Sequence, residues 1–117
     1  MHGLPEDFDP RAFMGAELSQ LCISVNTTSL SFDGHRGITL LGSFAYRARE
    51  GDLSTYSVPE GSESLLRLPG KTVVAATVES GCDLRLVFDD GQVIVCLDDS
   101  TAYESYSLSI DGREIFV

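Results

Sequence analysis

Apolar and polar residues alternate along most of this chain with a period of two. Tyr106, Leu108 and Ile110, for example, are separated by single serines. This alternation is typical of strands that bury one face, because successive side chains of a strand point to opposite sides. We therefore predict that the residues of one parity form the core. They are Leu21, Ile23, Leu30, Phe32, Ile38, Leu40, Val74, Val78, Leu86, Phe88, Val93, Val95, Leu108 and Ile110.

Turn-forming residues separate these segments and predict about seven to nine short, mainly antiparallel strands. The Asp89-Asp90-Gly91 and Asp111-Gly112 segments are strong hairpin signals. Near the N-terminus, Asp9-Pro10 predicts a helix cap followed by proline at the first helical position, and hence a short helical turn over residues 11–14. Residues 63–68 fit either a helical turn or a further strand.

Two stretches of the chain are similar to each other, which predicts an internal duplication of residues 15–58 in residues 70–110. The alignment places Leu21 on Ala76, Phe32 on Phe88, Ile38 on Val93 and residues 55–58 on residues 105–108. The alternative is that two amphipathic meanders align through their shared period alone. In either case each meander must cover the apolar face of the other. We therefore expect a single all-β domain over residues 1–117, either an antiparallel sandwich or a partly open barrel.

The charge of the chain narrows the classes of partner. It carries 18 acidic and 8 basic side chains, for a formal net charge of -10. Nucleic acids and anionic membranes are bound by clustered lysines and arginines, whereas Lys71 is the single lysine and the arginines are scattered. We therefore expect neither of these partners. An acidic surface attracts a basic protein, although the same charge also serves solubility alone.

The cysteines and the N-terminal residues indicate a cytoplasmic protein. The N-terminal residues are acidic, whereas a signal peptide is basic and then apolar. Cys22, Cys82 and Cys96 lack the paired spacing of a disulfide framework, which favours a reducing compartment. Cys22 and Cys96 fall in predicted strands, where we expect them to be packing residues, and Cys82 falls in a predicted turn.

The sequence lacks the patterns typical of catalysis or of metal and cofactor sites. His2 and His35, its two histidines, do not have the spacing that a zinc site needs. There is no nucleophile elbow of a serine hydrolase, and no phosphate-loop glycine precedes Gly70-Lys71-Thr72. We therefore expect no catalytic residue, no metal and no cofactor. Whether the protein is an enzyme stays open, with a non-enzymatic role favoured.

The loop before the last hairpin is the preferred interaction patch. Asp98, Asp99 and Glu104 supply carboxylates, and Tyr103 is the tyrosine expected to be most exposed. Tyrosines suit interfaces because they combine a large apolar ring with a polar end. The alternative is a solvated connection between two strands.

The C-terminal part of the chain resembles a group of small uncharacterised bacterial all-β proteins. The resemblance lies in Gly70-Lys71-Thr72-Val73, in the segment from Leu84 to Gly91, in Tyr103-Glu104-Ser105-Tyr106 and in Ile115-Phe116-Val117. Some proteins of this kind are suspected immunity proteins that neutralise toxins. The resemblance implies an immunity-like role for the chain and assigns no active site.

Three functions are consistent with the sequence. The favoured one is a non-enzymatic module that binds another protein through an acidic face. The second is a ligand-binding or enzymatic β barrel whose site comes from residues distant in sequence. The third is a homodimeric structural β protein.

Overall fold

The computed structural model describes residues 4–5, 7–79, 83–98 and 105–117. Within this part of the chain, ten strands form two five-stranded antiparallel sheets that pack as a sandwich. The prediction of an all-β antiparallel fold with a short N-terminal helical turn is confirmed, and of the two architectures left open the sandwich is found.

Short strands and two 3₁₀ helices follow one another along the chain. In order they are η1 (Pro10–Phe13), β1 (Leu18–Ile23), β2 (Thr28–Phe32), β3 (Arg36–Leu40), β4 (Ser43–Arg47), β5 (Ser54–Ser57), η2 (Glu60–Arg67), β6 (Val73–Glu79), β7 (Asp83–Phe88), β8 (Val93–Cys96), β9 (Tyr106–Ile110) and β10 (Arg113–Phe116). The ten described strands are one more than the upper end of the predicted range of seven to nine. A single parity is shared by Ile38, Leu40, Phe44 and Tyr46. β3 and β4 nevertheless lie in different sheets, because the chain leaves the first sheet at Leu41 and Gly42.

The two sheets have equivalent strand orders. Sheet one has the order β1-β2-β3-β9-β10, and sheet two, from its opposite edge, has the order β6-β7-β8-β4-β5. Each sheet therefore combines a three-stranded meander from one half of the chain with a hairpin from the other half. This exchange of hairpins makes the two halves depend on each other for a complete sheet.

The segments that lead into β1 and β6 are joined by four backbone hydrogen bonds. Gly15 N–H donates to Val73 O (2.9 Å), Gly70 N–H to Leu18 O (2.7 Å), Leu18 N–H to Lys71 O (2.9 Å) and Val73 N–H to Ala16 O (2.8 Å). The bonds form two equivalent pairs. In the second bond Gly70 takes the place of Gly15 and Leu18 that of Val73, and the fourth bond is related to the third in the same way. Gly15 and Gly70 both have positive φ, +78° and +91°, a conformation that favours glycine. We refer to this pairing as the seam.

Each strand that leaves the seam contains a β-bulge. The register shifts between Leu18 and Gln20 in β1 and between Val73 and Ala75 in β6. A bulge inserts one extra residue and so inverts the parity of the strand. The prediction that Val74 is buried is therefore wrong: Val74 is 48% exposed, whereas Val73 is 1% exposed.

Other predictions about the core need smaller corrections. Ile23 is 43% exposed, since it lies at the far end of an edge strand. The prediction that Cys22 is a packing residue is wrong, because Cys22 lies on the same edge strand and is exposed. Val93 and Val95 are buried, but they form a second cluster with Ala45, on the opposite face of sheet two from the main core. Three residues are only half-buried: Leu21, Val78 and Ile110.

The register of the third strand of each meander differs from the sequence alignment. Arg36 is paired with Phe32 in sheet one, and Gln92 is hydrogen-bonded to Phe88 in sheet two. Arg36 therefore corresponds to Gln92, and Ile38 corresponds to Ile94 rather than to Val93. Tyr106 pairs with Leu40 in sheet one, and Phe44 pairs with Cys96 in sheet two. The counterpart of Tyr106 is therefore Phe44 and not Tyr56.

The main core is closed at its ends by the two 3₁₀ helices. The ring of Phe13 in η1 packs edge-to-face on Phe32, with centroids 5.6 Å apart. The carboxylate of Asp9 caps η1 by accepting from Arg11 N–H. Leu65 in η2 and Leu68 after it are fully buried, at the three-residue spacing that places side chains on one side of a 3₁₀ helix. Residues 63–68, which fitted helix or strand, are thus mostly helical.

We expect Phe88→Ala to reduce the free energy of unfolding by about 3 to 5 kcal/mol, because it removes a fully buried ring from the main core. Phe116→Ala is the matched control, since Phe116 is 45% exposed, and its effect should be much smaller. Urea denaturation followed by circular dichroism measures both. Equal losses in the two variants would contradict the assignment of the core.

The bulge in β6 can be tested with two neighbouring valines. Val73→Ala should cost about 2 kcal/mol, because it leaves a cavity in the core, and Val74→Ala should cost less than about 0.5 kcal/mol, because that side chain is largely solvated. The same denaturation experiment compares them. A larger loss for Val74→Ala would place the bulge elsewhere.

Candidate binding surfaces

The predicted interaction patch lies only partly within the described residues. Asp98 is described, whereas Asp99, Tyr103 and Glu104 lie outside the described residues, as does Cys82. The backbone N–H of Asp98 donates to Asp83 Oδ1 (2.9 Å), and its own Oδ1 accepts from Ser105 Oγ (3.1 Å). Asp98 is therefore held in place on both sides, as a donor to the carboxylate of Asp83 and as an acceptor from the hydroxyl of Ser105.

Asp83 and Glu79 extend the carboxylates around Asp98. β6 ends at Glu79, β7 begins at Asp83 and β8 ends at Cys96, two residues before Asp98, so the three residues lie at one end of sheet two. The ion pair that the described residues form here joins Arg85 to Glu79 at 3.9 Å. We call Glu79, Asp83 and Asp98 the acidic end.

The acidic end affects the buried thiol beneath it. Burial raises the pKa of Cys96 well above its ordinary value, and the negative charge of Asp83 raises it further. A thiol acts as a nucleophile only as the thiolate. Cys96 is therefore an inert packing residue, as the sequence predicted.

A cleft lies at the opposite end of sheet two, between η2, β4 and the turn that joins β7 to β8. Its volume is about 490 Å³. The polar residues that line it are Tyr46, Arg49, Arg67, Lys71, Asp90 and Gln92, and Ala48 and Pro69 complete the lining. They come from three separate stretches of the chain, residues 46–49, 67–71 and 90–92. We call this feature the cationic cleft.

A buried hydrogen-bond network forms one wall of the cationic cleft. The hydroxyl of Tyr46 donates to Gln92 Oε1 (2.6 Å), and Gln92 Nε2 donates to Asp90 Oδ2 (2.8 Å) and to the carbonyl oxygen of Arg67 (3.0 Å). Gln92 is 3% exposed, and every polar atom of its amide is used. The network therefore links β4, η2 and the turn that precedes β8.

The ionisable groups of this network have shifted pKa values. Burial raises the pKa of Tyr46, against a smaller opposing effect of the Arg67 charge, so its hydroxyl stays protonated. Burial also tends to raise the pKa of Asp90. The hydrogen bonds from the side chain and backbone of Gln92, together with the Lys71 charge, outweigh burial and lower that pKa overall.

The cations of the cleft differ in their partners. Lys71 Nζ lies 3.7 Å from Asp90 Oδ2. Arg49 and Arg67 are exposed, and neither guanidinium forms a hydrogen bond or ion pair with any residue in the described ranges. These three residues are three of only eight basic side chains in the protein.

Sequence reasoning did not find the cationic cleft, because no two of its cations lie on one local pattern. The nearest signal was Gly70-Lys71-Thr72, which lacks a phosphate-loop context. A second signal was Gln92, a polar residue between a hairpin turn and a strand that is apolar on both parities.

The outward face of sheet one is neutral and hydroxyl-rich. Ser31, Gly37, Ser109 and Glu114 are successive cross-strand partners on β2, β3, β9 and β10. The absence of a side chain at Gly37 leaves a shallow groove of about 210 Å³. With one carboxylate among small residues, this face lacks the charge pattern of the other two surfaces.

Searches for further kinds of site and for relatives gave negative findings. The described ranges contain no group of three or more His, Cys, Asp or Glu side chains placed to hold a metal ion. None of the helices described there has the length and apolar character needed to cross a membrane. Comparisons with family models, curated proteins and solved structures found no match for this chain. The resemblance to immunity-like bacterial proteins stays a prediction.

The lowered pKa of Asp90 predicts a contribution to acid stability. The carboxylate is ionised in the folded protein at pH values where the unfolded chain binds a proton. Its stabilisation is therefore fully present above the ordinary pKa of 3.8 and is lost as the pH falls through the lower folded value. Asp90→Asn should cost about 1 kcal/mol at neutral pH and progressively less in acid.

The exposed neighbour Asp89 provides the control. Asp89→Asn should cost little stability at neutral pH, because no hydrogen bond or ion pair of its side chain is found among the described residues. Thermal unfolding from neutral to acidic pH measures both variants. If Asp90→Asn kept its full deficit in acid, the carboxylate would not have the lowered pKa.

Proposed function

We propose that this domain is a non-enzymatic interaction module that binds a basic region of another protein at its acidic end. The observation that carries the proposal is the position of Glu79, Asp83 and Asp98 together at one end of sheet two, directly before residues 99–104 in sequence. That segment holds Asp99 and Glu104, so further carboxylates adjoin the acidic end in sequence.

The hydrogen bonds of the acidic end support this role. Asp83 and Asp98 accept from a backbone N–H and a hydroxyl, which orient the carboxylates without neutralising them. Arg85 lies 3.9 Å from Glu79 and leaves two carboxylates without an ion pair among the described residues. Oriented charges of one sign increase the rate at which a partner of opposite charge associates. The resemblance to immunity-like proteins, a cytoplasmic location and a basic protein partner are parts of the same proposal.

The internal duplication is a second part of the proposal. The equivalent strand orders, the two bulges and the reciprocal bonds of the seam support it. A duplicated unit with exchanged hairpins explains why both halves have the same elements. The acidic end is then a feature of the second half alone, formed by Glu79, Asp83 and Asp98.

A triple variant tests the acidic end. Glu79→Gln, Asp83→Asn and Asp98→Asn together remove three charges and keep each hydrogen-bond acceptor. The control is Glu50→Gln, Asp52→Asn and Glu60→Gln, which changes the net charge equally at exposed positions elsewhere. A third variant, Asp98→Asn, Asp99→Asn and Glu104→Gln, tests the predicted patch.

Each protein is immobilised, and proteins captured from a bacterial lysate are identified and remeasured in pure form. We expect a basic partner whose association rate falls at least about tenfold between roughly 0.05 and 0.5 M salt. The acidic-end variant should lose it and the control should retain it. The proposal fails if the acidic-end variant binds the same partner with an unchanged rate.

A further inference from the structure

The geometry of the cationic cleft points to a second binding site, and we propose that it binds a small molecule carrying a phosphate monoester. The site is distinct from the acidic end, because it lies at the opposite end of sheet two. β6 and β8 both begin beside the cleft and run away from it, towards Glu79 and Asp98.

The concentration of positive charge in the cleft is unusual for this protein. Three basic side chains line one cavity in a chain with 18 acidic groups and a net charge of -10. Two of them, Arg49 and Arg67, have no carboxylate partner in the part of the chain that the structure describes. The carboxylate that lines the cavity is Asp90, which is paired with Lys71, whereas Glu63 lines an adjoining cavity that shares Tyr46 and Arg67. The described lining therefore has a net positive charge.

Sheet one shows how the equivalent position is filled by a different side chain. Arg36, the counterpart of Gln92, donates to Ala12 O (2.8 Å) and to Asp33 Oδ1 (3.0 Å). Gln92 makes the matching bond to Arg67 O, and its bond to a carboxylate goes to Asp90, the residue after the counterpart of Asp33. The guanidinium of Arg36 thus occupies this position in sheet one and is neutralised there by Asp33.

The same comparison identifies which residues replace the cations. In sheet one the carbonyl of Ala12 accepts the bond from Arg36, as the carbonyl of Arg67 accepts the bond from Gln92 in sheet two. In the seam, the carbonyl of Ala16 is the counterpart of that of Lys71. Two alanines therefore fulfil the backbone role of Arg67 and Lys71. The backbone pairing therefore needs no cation at either position.

The chemistry of the cations favours a phosphate. Two guanidiniums and an ammonium around one cavity match an anion with a double charge and several acceptor oxygens, and a phosphate monoester has a charge near -2 at neutral pH. The volume of about 490 Å³ is that of a small-molecule site. The protonated hydroxyl of Tyr46 and the hydrogen-bond network around Gln92 give the cavity a preformed wall.

Inorganic phosphate is the probe, titrated into ¹⁵N-labelled full-length protein at constant ionic strength. We expect saturable shifts of the amide resonances of residues 67–71 and 90–92, and much weaker shifts with chloride or acetate. Arg49→Gln and Arg67→Gln should each weaken binding at least about fivefold. Because neither side chain has a partner among the described residues, these variants should fold normally.

Arg113→Gln is the control, because it removes the same charge outside the cleft, where Arg113 contacts Asp7 at 3.9 Å. Its phosphate affinity should be unchanged, and so should that of the acidic-end variant, so the two proposals fail separately. Three results would overturn the inference: shifts no larger than those with chloride, acetate binding as strongly as phosphate, or an Arg113→Gln variant weakened as much as Arg67→Gln.

Discussion

The pairing of residues 15–18 with residues 70–73 is the interaction on which the rest of the structure depends. Its four backbone bonds connect the first strand of sheet one to the first strand of sheet two, and no side chain participates in them. Once the seam is made, the two meanders start from a common point, and their apolar faces are directed at each other. The exchange of hairpins then completes each sheet with strands from the other half. Because backbone groups carry this interaction, it tolerates different side chains in the two halves.

Because the backbone pairing tolerates different side chains, two sheets with equivalent strand orders have different surfaces. Arg36 and Gln92 each donate to a backbone carbonyl and to a carboxylate, yet one fills its position with a neutralised guanidinium and the other lies in the wall of a cavity beside Tyr46. The side chains of Arg67 and Lys71 extend from positions that the backbone has already fixed. A cleft of this kind costs little stability, since the network at its wall satisfies its own polar atoms.

The opposite charges at the ends of sheet two follow from strand direction. Antiparallel neighbours place the end of one strand beside the start of the next, so Glu79 and Asp83 meet at one end. The turn that holds Asp90 faces the seam at the other end. An acidic protein thus has a local positive site, because net charge describes the whole surface and not a single cavity. The average composition correctly indicates an acidic molecule and conceals this site.

The sequence by itself determined the fold class, the helical turn capped by Asp9 and most of the core, because alternation and turn residues act locally. The alternation wrongly predicted that Val74 is buried, because a bulge changes which face a residue lies on without changing the amino-acid composition. The predicted interaction patch is described only at Asp98, and sequence reasoning missed the cationic cleft altogether. Only the tertiary structure decided which cations meet, because Arg49 and Arg67 converge through the seam and the crossing between sheets. Neither of these leaves a periodic signal along the chain.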